Sequence, residues 1–273
     1  MVTRLALHTW SLDTTSLAEA LRVIRRTGWD AVELRRLDFR RATEAGGRPE
    51  DVLDLVRAAS VPVAAVGVEF GWMFAEGDEH DRLLAVFAQS CRWAQALGCA
   101  TVMSPVDKTR GDIARAADRV REVADRAVEH GLRLALEFNS QAEQFNTLER
   151  CREVVRRAAH PGCGLLVDTY HLGRSGGDAR AIAALDPSEI AYVQYSDVPA
   201  SGLVPGMTLD RVPPGRGTID FPSVWAALAA KNYGGYVSYE APNPSAWARP
   251  ADEVAREALT ATRTSQELLE QRT

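Results

Sequence analysis

One stretch, Leu134-Ala135-Leu136-Glu137-Phe138-Asn139, indicates both the fold and the position of the functional site. Its apolar residues are typical of a buried strand, and that strand ends abruptly in a carboxylate and an amide. Because an ionised carboxylate is costly to bury without a positive partner, we expect Glu137 to meet a cation.

Three later segments repeat this design, and each is an apolar run that ends in an oxygen-bearing side chain. They are Leu165-Leu166-Val167-Asp168, Ile190-Ala191-Tyr192-Val193-Gln194 and Tyr236-Val237-Ser238-Tyr239-Glu240. If the four segments are parallel strands of one sheet, their carboxyl ends bring four oxygen ligands to one place, and such ligands suit a hard divalent cation. The sequence therefore predicts a metal site formed by Glu137, Asp168, Gln194 and Glu240.

The four segments belong to an alternation of strands and helices that runs through the whole chain. Further strands are predicted at 4–10, 30–34, 61–68 and 99–103, and amphipathic helical patterns follow each one; a polar loop is expected between residue 34 and the helix that Pro49 begins. Eight such units predict the α/β class and a single (β/α)8 TIM barrel over residues 1–273. An open doubly wound sheet is the alternative, but no GxGxxG turn follows the first strand.

The composition of the chain disfavours several classes of partner and location. The 273 residues carry 32 Lys and Arg against 37 Asp and Glu, a net charge of −5, which disfavours nucleic acid as a partner. No apolar run reaches the roughly 20 residues of a membrane span, and no signal peptide is recognisable. The four cysteines show no metal-binding spacing and are expected to be reduced structural thiols of a cytoplasmic protein. A homo-oligomer is compatible with the sequence.

Two further features point to proton transfer. His171 follows Asp168 by three positions, and an imidazole near a strand end suits proton transfer around neutral pH. Glu137 and Glu240 lie on strands five and eight, so they could face each other across the mouth and act as base and acid on a hydroxy-carbonyl substrate, while the cation stabilises an enediolate. For each Glu alone, a helix cap or salt bridge is the alternative interpretation.

Loops supply the remaining candidates for contacting substrate. The segment from Ser201 to Gly217 has no helical or strand period, and a loop of this length is usually a functional lid, here one that carries Arg211. His8 and Trp10 at the first strand, Trp72 after the third and Lys108 after the fourth are further candidates. The aromatic residues could equally pack on neighbouring loops or on a second subunit.

As a set, these motifs resemble the xylose isomerase-like barrel superfamily, which includes sugar isomerases and epimerases, inosose and 3-dehydroshikimate dehydratases, and endonuclease IV. The matching motifs are Leu136-Glu137-Phe138-Asn139, Val167-Asp168-Thr169-Tyr170-His171, Val193-Gln194-Tyr195-Ser196-Asp197, Gly28-Trp29-Asp30-Ala31-Val32-Glu33-Leu34, and the segment from Arg211 to Glu240. The resemblance implies a divalent ion, usually manganese, magnesium or cobalt, on Glu137, Asp168, Gln194 and Glu240. It further implies proton transfer by Glu137 and Glu240 and substrate binding by His171 and Arg211.

The chain departs from the family pattern at two positions. Many members carry His where this chain has Gln194, and a neutral oxygen ligand favours magnesium or manganese over zinc. Arg216 stands between two glycines, where the family commonly has Glu or Gln. This arginine could favour an acidic substrate, or it could point to water.

Four functions are compatible with these residues, and the sequence ranks them. The leading hypothesis is a metal-dependent isomerase or epimerase of a small polyhydroxylated carbonyl compound, and the alternative is a dehydratase that uses the same proton abstraction. DNA repair of the endonuclease IV type is disfavoured, because that branch holds a zinc cluster with many His ligands and this chain has five His in all. A sugar-binding barrel without catalysis is disfavoured by the two carboxylates at the proton-transfer positions.

Overall fold

Eight parallel strands close into a barrel in the computed structural model, which describes residues 4–271. The strands pair in chain order, and the last pairs with the first. They are β1 (Leu5–His8), β2 (Ala31–Leu34), β3 (Val63–Gly67), β4 (Thr101–Pro105), β5 (Arg133–Glu137), β6 (Cys163–Asp168), β7 (Ile190–Tyr195) and β8 (Val237–Tyr239). The predicted (β/α)8 architecture is confirmed.

Helices surround the barrel, and several begin at polar residues whose side chains accept a backbone N–H of the first turn. They are α1 (Leu17–Thr27), α2 (Arg36–Glu44), α3 (Pro49–Ala59), α4 (Gly77–Ala96), α5 (Ile113–Glu129), α6 (Leu148–Ala158), α7 (Thr169–Arg174), α8 (Ala179–Ala183), α9 (Phe221–Ala230), α10 (Pro244–Trp247) and α11 (Ala251–Glu270). The side chain of Ser16 accepts the N–H of Glu19 at the start of α1, and Gly28 ends that helix at a φ of 88°.

The core has two layers. Small side chains fill much of the barrel interior, among them Ala6, Ala31, Ala65 and Ala135. Larger aliphatic and aromatic residues pack between the strands and the helices. Small residues leave room inside the barrel for the few long polar side chains that lie at its carboxyl end.

One local prediction is wrong. The segment after β2, expected to be a polar loop, forms the helix α2. This helix buries essentially one aromatic ring, because Phe39 stacks on Trp93 with ring centroids 4.1 Å apart. Most of its other residues are charged or polar, so the sequence lacks the apolar period by which a helix is recognised.

Two expectations from composition concern cysteines and membranes. All four cysteines are free and buried, in agreement with a structural role. Within residues 4–271, none of the helices combines the length and the apolar character needed to cross a bilayer.

The strand register brings the carboxyl ends together. Asp168 pairs with Gln194 across β6 and β7, and Gln194 pairs with Ser238 across β7 and β8. Pro105, at the end of β4, pairs with Glu137 at the end of β5. The polar residues named by the sequence therefore share one end of the barrel, as expected for this architecture.

Candidate active site

Glu137 is the last residue of β5 and is almost fully buried, at 6% exposure. Ligand atoms of Glu137, Asp168 and His171 all lie within 4.8 Å of one another, and the Nε2 atom of His171 is 3.7 Å from Glu137 Oε1. Burial raises the pKa of Glu137 well above its ordinary value, and the neighbouring carboxylates of Glu240 and Asp168 raise it further.

Asp168 ends β6 and also caps the short helix α7. Its Oδ1 atom accepts the backbone N–H of Tyr170 at 2.7 Å, and its Oδ2 atom accepts an N–H of Arg211 at 2.8 Å. Burial alone raises the pKa of Asp168, but Arg211, His171 and the Tyr170 amide outweigh burial and lower it. Asp168 is therefore a carboxylate at neutral pH.

Arg211 joins two of the carboxylates. Its Nη1 atom lies 2.8 Å from Asp168 Oδ2 and 2.8 Å from Glu240 Oε2, while the guanidinium lies over the ring of Tyr170 at 4.4 Å. Burial raises the pKa of Glu240 to about 7, although Arg211 opposes this shift. Three buried carboxyl groups thus share one guanidinium, and this imbalance favours binding of a further cation.

Glu33 lies within β2 and is completely buried. Its Oε1 atom accepts an N–H of the Gln194 amide at 2.8 Å, and its Oε2 atom accepts the hydroxyl of Tyr192 at 3.2 Å. Burial, with the charge of Glu240, raises the pKa of Glu33 well above its ordinary value. The Oε1 atom of Gln194 is buried and has no hydrogen-bond partner within residues 4–271.

His8 ends β1 between two of the acidic groups. Its Nδ1 atom accepts the backbone N–H of Trp10 at 3.0 Å, and its Nε2 atom lies 3.6 Å from Glu33 Oε1 and 3.5 Å from Glu240 Oε1. Burial lowers the pKa of His8 well below its ordinary value, and Arg35 and Arg211 lower it further. The imidazole is therefore neutral, with its proton on Nε2.

His171 is also a neutral imidazole. Its Nδ1 atom lies 2.9 Å from the hydroxyl of Ser140, and its Nε2 atom lies 3.3 Å from Nη2 of Arg211. Burial lowers the pKa of His171 to about 4; Asp168 opposes the shift and Arg211 adds to it. A neutral ring can exchange hydrogen bonds with substrate hydroxyl groups.

A cavity of about 220 Å³ opens above these groups, beside a second one of about 230 Å³. Trp10, Phe70, Pro105, Glu137 and Glu240 line both. The first is also lined by Lys108, Asn139, Gln141, His171, Thr208 and Arg211. The cavities are large enough for a small polyhydroxylated molecule, and larger ones of about 460 and 510 Å³ contain none of these acidic groups.

The two cavities differ in whether a cationic side chain in the wall has a carboxylate partner within residues 4–271. Arg35 lines the second cavity but pairs with Asp13, at 2.6 Å, and with Asp38. Lys108 lines the first cavity and has no carboxylate within 4.0 Å among residues 4–271. The Nε2 atom of Gln141, in the same wall, is buried without a hydrogen-bond partner in that part of the chain.

Two predicted residues lie away from the mouth. Trp72, a candidate for contacting substrate, packs instead in the core at 1% exposure and donates its indole N–H to Ser104 at 2.9 Å. Its place after a strand resembles that of a mouth residue, but the loop turns the ring inward. Arg216, the possible recogniser of an acidic substrate, is exposed and lies 3.9 Å from Glu257.

The segment from Ser201 to Gly217 contains no helix and no strand longer than an isolated bridge, as predicted. Arg211 is nevertheless buried, and its backbone carbonyl accepts the Asn243 amide at 3.0 Å. Sequence reasoning missed Glu33 as a site residue. A charged residue inside the apolar run of β2 is the feature that could have identified it.

These residues fit a divalent cation. Glu137, Asp168 and His171 form a cluster that could hold an ion, Glu240 joins Asp168 through Arg211, and the buried Oε1 atom of Gln194 is an acceptor without a donor among residues 4–271. The carboxylate and amide oxygens in this group are of the type that magnesium and manganese prefer, and the ring nitrogen of His171 is a further possible ligand.

Comparisons with known proteins identify the family of this chain. Residues 21–265 match the family model described as xylose isomerase-like TIM barrel. The chain is 31% identical over 247 residues to a 3-dehydroshikimate dehydratase of Pseudomonas aeruginosa, a match that covers 86% of this chain and 37% of that protein. It is 23% identical to an inosose isomerase of Bacillus velezensis, with 92% of each chain covered.

Among solved structures, the crystal structure of IOLI protein with a binding zinc atom has a TM-score of 0.88 at 20% identity and covers 98% of this chain and 99% of that one. A D-allulose 3-epimerase from Methylomonas in complex with D-allulose has a TM-score of 0.75 at 18% identity, with 97% of each chain covered. The chain thus spans less than two fifths of the dehydratase that it resembles and nearly the full length of the isomerase.

Proposed function

Because the chain belongs to the xylose isomerase-like TIM barrel family, we propose that it is a divalent-metal-dependent isomerase or epimerase of a small polyhydroxylated carbonyl compound. The reaction moves a proton at the carbon next to the carbonyl group. The observation that carries the proposal is that Glu137 and Glu240 line one cavity, where the guanidinium of Arg211 pairs with Glu240 and with Asp168.

Glu137, Asp168, Gln194 and Glu240 are the proposed metal ligands, and manganese, magnesium or cobalt is the proposed ion. When bound, the cation polarises the substrate carbonyl and favours loss of the adjacent proton. The oxygen-only ligand set separates this centre from a histidine-rich zinc site.

Glu137 and Glu240 carry the proton. Their carboxyl groups line the same cavity, and both have raised pKa values, about 7 for Glu240. A carboxylate with a pKa near the working pH can take a proton from carbon and return it in one cycle. In an epimerase, one Glu removes the proton from one face of the carbon and the other delivers a proton to the opposite face.

His171 and Arg211 hold the substrate oxygens. The neutral ring of His171 exchanges hydrogen bonds with hydroxyl groups, and the guanidinium of Arg211 stabilises negative charge that develops on an oxygen. Trp10 and Phe70 wall the cavity and exclude water from the reacting carbon. His8 holds Glu240 from behind and reaches the second cavity.

A dehydratase is the second candidate. Removal of the same proton, followed by loss of a β-hydroxyl group as water, converts an isomerase site into a lyase site. The 31% identity to a 3-dehydroshikimate dehydratase favours this reaction. The Lys108 ammonium group in the cavity wall also favours an acidic substrate, because within residues 4–271 no carboxylate pairs with it and a substrate carboxylate could do so.

The test combines metal analysis with proton exchange. The purified protein is loaded with Mn²⁺ in D₂O and incubated with D-allulose, an inosose and 3-dehydroshikimate. We expect one of them to gain deuterium at the carbon next to its carbonyl. Unchanged mass apart from deuterium identifies an isomerase or epimerase, and loss of 18 mass units (one water) identifies a dehydratase.

Two controls complete this test. Protein treated with EDTA should catalyse no exchange, and addition of Mn²⁺ should restore it. Binding of all three compounds without exchange in the metal-loaded protein contradicts the proposal and identifies a binding protein instead.

A further inference from the structure

The buried Glu33 stands behind a proposed metal ligand and takes no part in the proton transfer. Its Oε1 atom lies 2.8 Å from the amide nitrogen of Gln194, and both side chains are completely buried. The two residues are 161 positions apart in the chain, and the contact crosses the barrel interior from β2 to β7. Such a contact requires an explanation, because a buried carboxyl group is costly to place inside a barrel.

A glutamine ligand has a difficulty that aspartate and glutamate do not have. Its amide ends in an oxygen that can bind a cation and in an NH₂ group that repels one, and the two ends have nearly the same shape. Rotation by 180° about the last side-chain bond exchanges them. A site that uses Gln194 therefore needs a group that accepts from the nitrogen and leaves the oxygen free.

Glu33 meets this requirement. It accepts the N–H of Gln194, and the Oε1 atom of that amide is left buried without a hydrogen-bond partner in residues 4–271. We propose that Glu33 is a positioning residue that orients the Gln194 amide, so that its oxygen is directed to the metal and the centre selects cations that take oxygen ligands. This inference rests on the proposed metal-dependent function.

Glu33 is itself held in place. The hydroxyl of Tyr192 donates to its Oε2 atom at 3.2 Å, and Nε2 of His8 lies 3.6 Å from its Oε1 atom. The same His8 nitrogen lies 3.5 Å from Glu240, another proposed ligand. His8 thus contacts the proposed ligand Glu240 directly and the proposed ligand Gln194 through Glu33. Partners of this kind strengthen metal binding by fixing the ligands before the ion arrives.

The test replaces Glu33 by its isostere. In Glu33→Gln the new amide can donate to Gln194 Oε1 as well as accept from its nitrogen, so the Gln194 amide loses its single orientation. We expect the dissociation constant for Mn²⁺, measured from the electron paramagnetic resonance signal of the free ion, to rise roughly 10- to 100-fold. Thermal unfolding in EDTA checks that the variant is folded.

A second variant separates orientation from a structural role. The double variant Glu33→Gln/Gln194→His presents a ring nitrogen that needs no carboxylate to choose between two ends. We expect it to regain tight divalent binding, with preference moved from Mn²⁺ to Zn²⁺ in competition. Tyr192→Phe, which removes the hydroxyl donor to Glu33 Oε2 and leaves the contact with Gln194 in place, should change Mn²⁺ affinity less than threefold.

Each result decides the matter. Weak Mn²⁺ binding in Glu33→Gln together with recovery in the double variant supports the orienting role. Unchanged affinity in Glu33→Gln overturns it, and so does failure of the double variant to recover, because Glu33 then only maintains the structure. Absence of Mn²⁺ binding in the wild-type protein refutes the proposed metal-dependent function itself, and this outcome is read before any variant is made.

Discussion

Two buried carboxyl groups at the carboxyl end of the barrel have opposite surroundings. Asp197, two residues beyond β7, is completely buried, and its two oxygens accept four backbone N–H groups. The donors, at 2.9 to 3.0 Å, are those of Val198, Gly215, Gly217 and Ile219. The carboxyl group of Glu137, at the end of β5, accepts no backbone N–H within residues 4–271; its neighbours are the carboxyl group of Asp168 and the Nε2 atom of His171, 3.7 Å away.

This difference separates a structural carboxylate from a reactive one. Asp197 fastens the long loop that carries Arg211, and the loop fits so closely that a Cβ atom on Gly217 would lie 2.0 Å from the carbonyl oxygen of Val198. The neighbouring carboxylates of Glu240 and Asp168 disfavour a negative charge on Glu137. No backbone N–H within residues 4–271 occupies its carboxyl oxygens, so they can act on a ligand. Burial is common to both, so the supply of hydrogen-bond donors distinguishes their roles.

The largest expected effect comes from Glu137. Glu137→Gln removes a proton-transferring group, and we expect the rate of exchange or turnover with the true substrate to fall about 10²- to 10⁴-fold. The free energy of unfolding in EDTA should stay about the same, because the raised pKa of Glu137 favours its protonated form without metal and the amide has nearly the same shape. Glu143→Gln, in the exposed part of the following loop, is the matched control and should leave the rate unchanged. Full activity in Glu137→Gln would falsify the assigned role.

The next effect tests the only guanidinium that contacts Asp168 and Glu240 within residues 4–271. At pH 8 Arg211 pairs with both, so Arg211→Met leaves the Asp168 carboxylate without its cationic partner, favours the protonated form of Glu240, and should reduce the free energy of unfolding in EDTA by about 3 to 5 kcal/mol. Added Mn²⁺ should restore much of this stability. The exposed Arg216→Met serves as control and should change stability by less than about 0.5 kcal/mol. Equal losses in the two variants in urea denaturation would contradict the charge imbalance.

Asp197 provides the opposite case. Asp197→Asn places an NH₂ group against two of the four backbone donors, and we expect a loss of about 2 to 4 kcal/mol in urea denaturation. Mn²⁺ affinity should stay within about threefold, since Asp197 is not a proposed ligand. Asp81→Asn, an exposed position of α4, should leave stability unchanged. A loss of Mn²⁺ binding larger than the loss of stability would show that Asp197 belongs to the reactive group after all.

The sequence predicts one side of this comparison better than the other. The strands that end in Glu137, Asp168 and Glu240 are recognisable because each joins an apolar run to one acidic residue. Glu33 escapes this pattern, since its partner Gln194 lies 161 residues away and meets it only when the barrel closes. The direction of a ring is equally a tertiary property, and it separates Trp10 in the mouth from Trp72 in the core.

The smallest expected effect is the pH dependence of stability without metal. Burial raises the pKa values of Glu137 and Glu240, the latter to about 7, so the folded protein holds protons on them that the unfolded chain has released above about pH 4.5. The lowered pKa values of His8 and His171 act in the opposite direction, and this effect fades above about pH 6.5 as unfolded His loses its remaining proton. Between pH 6.5 and 8 the free energy of unfolding in EDTA should therefore fall, by about 1 kcal/mol from Glu240 alone.

In saturating Mn²⁺ the slope should reverse, because the ion binds the deprotonated carboxylates more tightly as pH rises. Thermal or urea unfolding at three pH values measures both slopes, and Asp197→Asn should keep the wild-type slopes while Glu240→Gln should flatten them. A metal-free stability that does not fall over this range would mean that the carboxyl groups in the mouth are already ionised in the folded protein.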